Sequence, residues 1–161
     1  MTVVASTQQE LLAARNPKAP VAVVMTMGAL HTGHAALMTH ARTLIGPTGH
    51  LVTTVFVNPT QFGAGEDFQR YPRTLEADVE LCRVAGVDVV FAPSVAEVYG
   101  TTDVGTEWGR VTVDPGPLGD VLEGASRPGH FRGVLTVVAT LLHLTRPEVA
   151  CFGEKDYQQL T

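Results

Sequence analysis

The octet "MGALHTGH", residues 27–34, follows directly on the apolar run "VAVVMT" and holds two of the six histidines in the chain. Gly28, at the end of such a run, lets the backbone approach a ligand with no Cβ in the way. A helix beginning near Gly33 would present free N–H groups and the positive end of its dipole, an arrangement suited to phosphate. His31 and His34 would add imidazole donors to triphosphate oxygens, and such contacts strengthen as charge develops at a reacting phosphorus. Two other readings of the pair stand beside this one. The imidazoles could simply cap the helix or bond the backbone, or they could begin a zinc site. Zinc takes three or four ligands; no cysteine or further histidine lies at a suggestive spacing, although His130 could approach in space, and no metal is assigned to the motif.

Other phosphate-binding patterns are missing. There is no "GxxxxGK[ST]" and no "GxGxxG" behind a strand, and "GAG" at 63–65 sits in mid-loop, where flexibility explains it. "GASRPG" does not form a serine-hydrolase elbow, because its second glycine comes one place too late.

The elements that must carry the octet follow from periodicity. "VAVVMT" (21–26) reads as a buried strand, because it is short, valine-rich and continuous. Leu37, Met38, Ala41, Leu44 and Ile45 then recur at helical spacing up to Gly46 and Pro47. The unit repeats: "LVTTVFV" (51–57) is a strand, and 74–85 is a helix with Leu75, Val79 and Cys82 on one face. Glu76, Asp78 and Glu80 sit early in that helix, where the macrodipole favours carboxylates. "VDVVF" (87–91) is a third strand, and "SVAE" (94–97) opens a short helix with a capping box. "RVTV" (110–113) reads as a minor edge strand. Val134, Val137, Val138, Leu141 and Leu142 mark a helix ended by Pro147, and "VACF" (149–152) is a fourth core strand. Ser6 with Gln9 forms a capping box for a first helix, stopped at Asn16 and Pro17. Strands alternating with helices imply right-handed crossovers and a Rossmann-like parallel sheet with helices on both faces, an α/β fold over 1–161 as one domain. Ligands of such sheets bind beyond the carboxyl ends of the strands where the winding reverses. The loops after the first, second and fourth strands, "MGALHTGH", "NPTQFGAGEDFQRYPRT" and "GEKDYQQ", should therefore meet.

Composition narrows the classes. With 161 residues, 45% of them hydrophobic and no long polar tract, the chain can bury a proper core. Eleven basic against 16 acidic side chains, a net charge of -5, with the basic ones scattered, argue against a nucleic-acid partner. No run approaches the roughly 18 apolar residues that span a bilayer, and no signal peptide opens the chain, so a cytoplasmic setting is expected. Cys82 and Cys151 read as core thiols of a reducing compartment.

The histidine motif, with "FVNPTQF", "YPRT", "RPGHF" and "FGEKDYQQL" in that order, resembles the pantoate-β-alanine ligase (pantothenate synthetase) family from about Val21 to Thr161. Met25 stands where the family usually has proline. The resemblance implies a fold of the HxGH nucleotidyltransferase type. It also implies a reaction in which ATP and Mg2+ convert the pantoate carboxylate to an acyl adenylate, whose AMP is displaced by the amine of β-alanine. It implies too that Met27, Gly28, Ala29, Leu30, His31, Thr32, Gly33 and His34 line the nucleotide site together with Gly153, Glu154, Lys155 and Asp156. Of these, His34, His31 and Lys155 are the implied catalytic groups, and Asp156 faces nucleotide or magnesium. Gln61 and Gln159 match the pantoate-binding glutamines, although glutamines in loops are usually just solvated; Asn58 is either a further substrate contact or a turn residue. Tyr71, Arg73, Arg127, His130 and Arg132 are weaker candidates: "YPRT" can simply lead into the next helix, and "RPGHF" can be a structural clasp. A homodimer is implied, as is a further phosphate loop and a smaller C-terminal domain beyond Thr161, so that the resemblance covers about the first half of the family's enzyme. Another HxGH nucleotidyltransferase that ignores pantoate, or a nucleotide-binding module without full activity, are the alternatives.

Overall fold

The valine run at 21–26 becomes an interior strand of a five-stranded sheet, buried at all but one of its residues. The structure, a computed structural model, describes residues 1–63, 68–101 and 111–161. The strands are β1 (Val3–Ala5), β2 (Val21–Thr26), β3 (His50–Val55), β4 (Val89–Phe91) and β5 (Val149–Cys151). The helices are α1 (Gln8–Ala13), α2 (Thr32–Ile45), α3 (Leu75–Val84), α4 (Val95–Tyr99), α5 (Glu123–Ser126) and α6 (His130–Thr145). Pro59–Gln61 and Glu154–Leu160 form 3-10 turns. Sheet order is β1-β4-β3-β2-β5, and every pairing is parallel.

Successive side chains of β2 point to opposite faces, and both faces are covered. Val21 and Val23 meet Leu11 of α1, Val98 of α4, and Val137 and Leu141 of α6. Ala22 and Val24 meet Met38, Ala41 and Ile45 of α2 and Cys82 of α3. Chain winding runs outward from β2 through β3 to β4, then returns across the sheet to β5 on the other side of β2. The reversal point lies between β2 and β5, where such sheets open a crevice beyond the strand ends. Both cysteines are buried, and burial pushes the Cys82 thiol up to about 11.

One strand appears that the sequence pattern does not assign, and three local expectations shift. β1 joins β4 although residues 3–5 are too short to show a period; Thr2 Oγ1 helps by donating to Val87 O at 2.8 Å. The first capping box is Thr7 with Glu10, one residue later than expected. The Glu10 carboxylate also accepts from Ser6 N and Oγ, which ties the two frames together. Ser94 caps α4, but the Glu97 carboxylate reaches away to accept from Gln8 N at 2.7 Å and links α4 to α1. Val111–Val113 is not a strand: Val113 N donates to Thr136 Oγ1 at 3.0 Å, and Val111 is exposed. Arg110, and Ala64 and Gly65 of the "GAG" stretch, lie outside the described residues.

α6 does more than cover the sheet. At Gly133 the helix backbone touches the Pro59–Gln61 turn so closely that an added Cβ would stand 2.4 Å from Thr60 O and 2.8 Å from Gln61 Cα. Asn58 Nδ2 donates to Gly133 O at 3.1 Å across the same contact. Because the neighbour is backbone, Gly133→Ala must push turn and helix apart, at about 1–3 kcal/mol. Thermal unfolding should show a fall of roughly 2–4 °C for each kcal/mol lost. An unchanged midpoint would mean that the turn is not seated on α6.

Candidate functional site

The site begins with two buried threonines at the carboxyl end of the sheet. Thr26 Oγ1 donates to Thr54 O across β2 and β3 at 2.6 Å and accepts from Gly28 N at 3.1 Å, so the chain leaves β2 along a fixed path. It then turns through two left-handed residues, Gly28 (φ 87) and Ala29 (φ 51). The Asp78 carboxylate of α3 accepts the N–H of Ala29 at 3.1 Å and of Leu30 at 2.8 Å. The composition of the motif does not point to this partner. A signal does exist in α3, where Asp78 lies four residues before buried Cys82, a carboxylate on the apolar face.

α2 then starts with a reciprocal cap made by the two histidines. His31 Nδ1 accepts from Gly33 N at 3.1 Å, and His34 Nδ1 accepts from His31 N at 3.3 Å, with the rings 4.2 Å apart. The capping reading of the pair is thus present in the structure, and it settles a chemical point. A ring that accepts at Nδ1 carries its proton at Nε2 when neutral, which leaves each imidazole an Nε2–H donor. Burial pushes the His34 imidazole below the usual histidine range, with His31 and the Lys155 ammonium acting in the same direction; Asp78 and Asp156 pull the other way.

Beyond β3, Asn58 is buried and fully engaged. Its Oδ1 accepts from Tyr99 Oη at 2.7 Å, from Thr60 Oγ1 at 3.0 Å and from Thr60 N at 3.2 Å. Its Nδ2 donates to Gly133 O and, at 3.2 Å, to Gln61 Oε1. The turn reading of Asn58 is therefore the one displayed, and Tyr99, which the sequence did not suggest, supports it. Gln61 in turn places its Nε2 3.1 Å from Met27 Sδ, which joins the loop after β3 to the loop after β2. From the other side His130 Nδ1 holds Gln61 O at 2.9 Å, and Arg127 lies 3.1 Å from His130 Nε2, so "RPGHF" clasps this turn. A cleft of about 390 Å³ opens there, lined by Gln61, Phe62, Arg127 and His130 among others.

The loop after β5 lies beside α2, outside the lining of that cleft. Gly153 faces Leu37 of α2, and Lys155 and Asp156 are close enough to His34 to shift its titration. Lys155 Nζ lies 3.6 Å from Asp156 Oδ1, and its side chain is 86% exposed, so the ammonium can still reorient toward an anion. Glu154 is exposed on the same turn. Gln159 is exposed further along it, whereas Gln158 is the glutamine tied down, donating to Leu118 O and Val121 O. Tyr71 packs edge-on against Phe62 of the cleft, whereas Arg73 stacks on Phe68 and Arg132 pairs with Asp114.

Among the described residues no group of three His, Cys, Asp or Glu side chains could hold a metal ion. Magnesium needs less, because it is commonly held by one or two carboxylates, water and the phosphates of its nucleotide. Asp156, exposed beside Lys155, fits that single role. No helix among the described residues is long and apolar enough to cross a membrane.

Comparisons with known proteins agree with this fold. The family model described as "Pantoate-beta-alanine ligase" matches residues 1–161. A pantothenate synthetase of Streptomyces coelicolor is 63% identical over 139 residues, 86% of this chain and 40% of its own. One of Salinispora arenicola is 58% identical over 162 residues, 100% of this chain and 55% of its own. The chain thus spans about half the length of the curated relatives it matches. A solved pantothenate synthetase of Thermus thermophilus superposes with a TM-score of 0.86 at 52% identity, covering 99% of this chain and 54% of that one. The Francisella tularensis pantoate-β-alanine ligase, solved with β-γ ATP and β-alanine, gives 0.86 at 36% identity, covering 99% and 59%. With a family model matched over its whole length, the chain belongs to the pantoate-β-alanine ligase family.

Proposed function

We propose that this chain is the nucleotide-binding, adenylate-forming part of an enzyme that condenses pantoate with β-alanine at the expense of ATP. The observation that carries the reading is the meeting of three loops at the β2–β5 reversal point: the His31–His34 cap, Gln61 against Met27, and Lys155 with Asp156 near His34. In the first step a pantoate carboxylate oxygen attacks the α-phosphorus of ATP, and the bond to pyrophosphate breaks. In the second the β-alanine nitrogen attacks the acyl carbon, loses a proton and expels AMP. Neither step requires a covalent enzyme intermediate, so positioning and charge neutralisation carry the catalysis. The Nε2–H donors of His31 and His34 and the Lys155 ammonium face the phosphates; the amide of Gln61, held at one end by Asn58, meets pantoate, with Gln159 a second contact. Asp156 would be the carboxylate to hold magnesium, which when bound would neutralise charge on the leaving pyrophosphate. The reading carries with it the family's homodimer and cytoplasmic setting. Support for ATP and β-alanine as ligands comes from the Francisella relative.

Pantoate-dependent exchange of labelled pyrophosphate into ATP, run on this chain beside a full-length relative, tests the proposal directly. Exchange on this chain would establish that these residues form the adenylate. ATP bound without exchange would leave the chemistry to residues outside it, and no ATP binding at all would overturn the assignment. His34→Ala should lower exchange about 100-fold or more, as loss of a donor to developing charge does. Stability should change by no more than about 1 kcal/mol, the weight of one exposed cap. Gln61→Ala should weaken pantoate about tenfold while ATP affinity stays within about twofold, the loss expected for one hydrogen-bonding side chain. A fall in ATP affinity alone would remove Gln61 from the pantoate site.

The His34 titration gives an independent check. With its pKa lowered on folding, the ring stays neutral in the native state at pH values where the unfolded chain, near 6.5, already binds a proton. Its contribution to stability is therefore lost as pH falls through 6.5 toward the lowered native value. An NMR titration should place the His34 midpoint below 6.5. Lys155→Met should raise that midpoint, because a repelling cation has gone; an unmoved midpoint would separate the two loops.

A further inference from the structure

Asp78 belongs to α3, an element that the functional reading leaves without a role at the site. Its carboxylate is 2% exposed, and its Oδ2 accepts from Thr74 Oγ1 at 3.3 Å besides the Ala29 N–H, while Oδ1 takes Leu30 N–H. A buried carboxylate is tolerated where its oxygens are hydrogen-bonded, and here two of the three donors are successive backbone groups of a distant loop. They converge on one carboxylate because Ala29 sits at φ 51, a conformation alanine rarely adopts unaided. The fit is tight on the other side too: a Cβ on Gly28 would meet Asp78 Oδ2 at 3.0 Å and Val55 Cγ1 at 3.1 Å. Leu30 directly precedes His31, the N-cap of α2, so whatever fixes residues 29 and 30 also fixes where the helix begins.

We propose that Asp78 is a positioning residue for the histidine site, holding the left-handed turn at Ala29 and Leu30 so that both imidazoles stand where the nucleotide phosphates pass. The inference rests on the nucleotide-site reading above and adds to it a residue outside every motif of that site. Its charge has a second effect. His34 is faced by Asp78 and Asp156, which favour its protonated form, and by His31 and Lys155, which oppose it. A carboxylate acting only on the dipole of α3 would stabilise that helix and leave the loop indifferent.

Asp78→Asn keeps the shape but turns an amide NH2 toward one of the two N–H groups. Hydrogen exchange followed by NMR should show the Ala29 and Leu30 amides exchanging about tenfold faster or more, the scale of a lost charge-assisted hydrogen bond. Mg-ATP affinity should fall about tenfold in parallel. Adding Ala29→Gly to Asp78→Asn should recover about threefold or more of that affinity, because glycine takes a positive φ without help. Unchanged exchange at these two amides would overturn the proposal. So would an ATP loss that merely follows the fall in thermal midpoint and gains nothing from Ala29→Gly. A wild-type chain that binds no ATP would instead refute the function proposed above, and the exchange readout would then decide the clamp alone.

Discussion

β2 is hydrogen-bonded along both edges, to β3 and to β5, and packed on both faces. Both edges hold Ala22–Val24, while Met25 and Thr26 pair with β3 alone, and Thr26 fixes the exit of the strand by bonding Thr54 and Gly28 at once. Because winding reverses beside this strand, the loops that follow β2 and β5 leave the sheet as neighbours, although they are separated by more than a hundred residues of sequence. The site is a consequence of topology first and of side-chain chemistry second.

Two of the three loops are secured by a polar group reaching from another layer. Asp78 of α3 secures the loop after β2. Tyr99 of α4 and Gly133 of α6 secure Asn58, and through it the Gln61 amide. Such contacts are worth most where water is excluded, and Asn58 at 1% and Asp78 at 2% exposure are in that situation. The side chains assigned to meet ligand are by contrast exposed or half-buried, free to exchange water for phosphate or carboxylate. Rigidity sits underneath and adaptability on top.

The strand-turn-helix unit at 21–45 was readable because a continuous valine run, a glycine exit and a helical repeat of apolar residues all agree locally. β1 was not, since three residues carry no period and Val3 and Val4 remain exposed; its reason for being a strand lies in β4. "RVTV" erred the other way: its β-branched composition was present, yet among the described residues Val111–Val113 pairs with no strand. At the site, the motif residues were legible by type. Their supports were not: Asn58 depends on partners 41 and 75 positions away, and Asp78 on a loop 48 and 49 positions away. In the sequence Asp78 differs from its neighbours Glu76 and Glu80 only by standing on the apolar face, four residues before Cys82.

The hydrogen bonding of the loop also distinguishes it from a glycine-rich phosphate motif. In a phosphate-cradling loop the backbone N–H groups are left open for the anion. Here the N–H groups of Gly28, Ala29, Leu30, His31 and Gly33 already have acceptors, in a threonine hydroxyl, the Asp78 carboxylate and two imidazoles. On the proposed reading the triphosphate is then met chiefly by side chains, by imidazole Nε2–H and ammonium donors, in a chain whose net charge is -5. Such donors differ from a fixed backbone cradle in being able to follow an anion as it reacts. When the α-phosphorus changes partners, negative charge moves from the carboxylate toward pyrophosphate, and a lysine on a mobile stem can move with it. Filling the backbone donors with internal acceptors thus keeps the loop rigid in the absence of ligand, and assigns the changing part of the reaction to groups that can change.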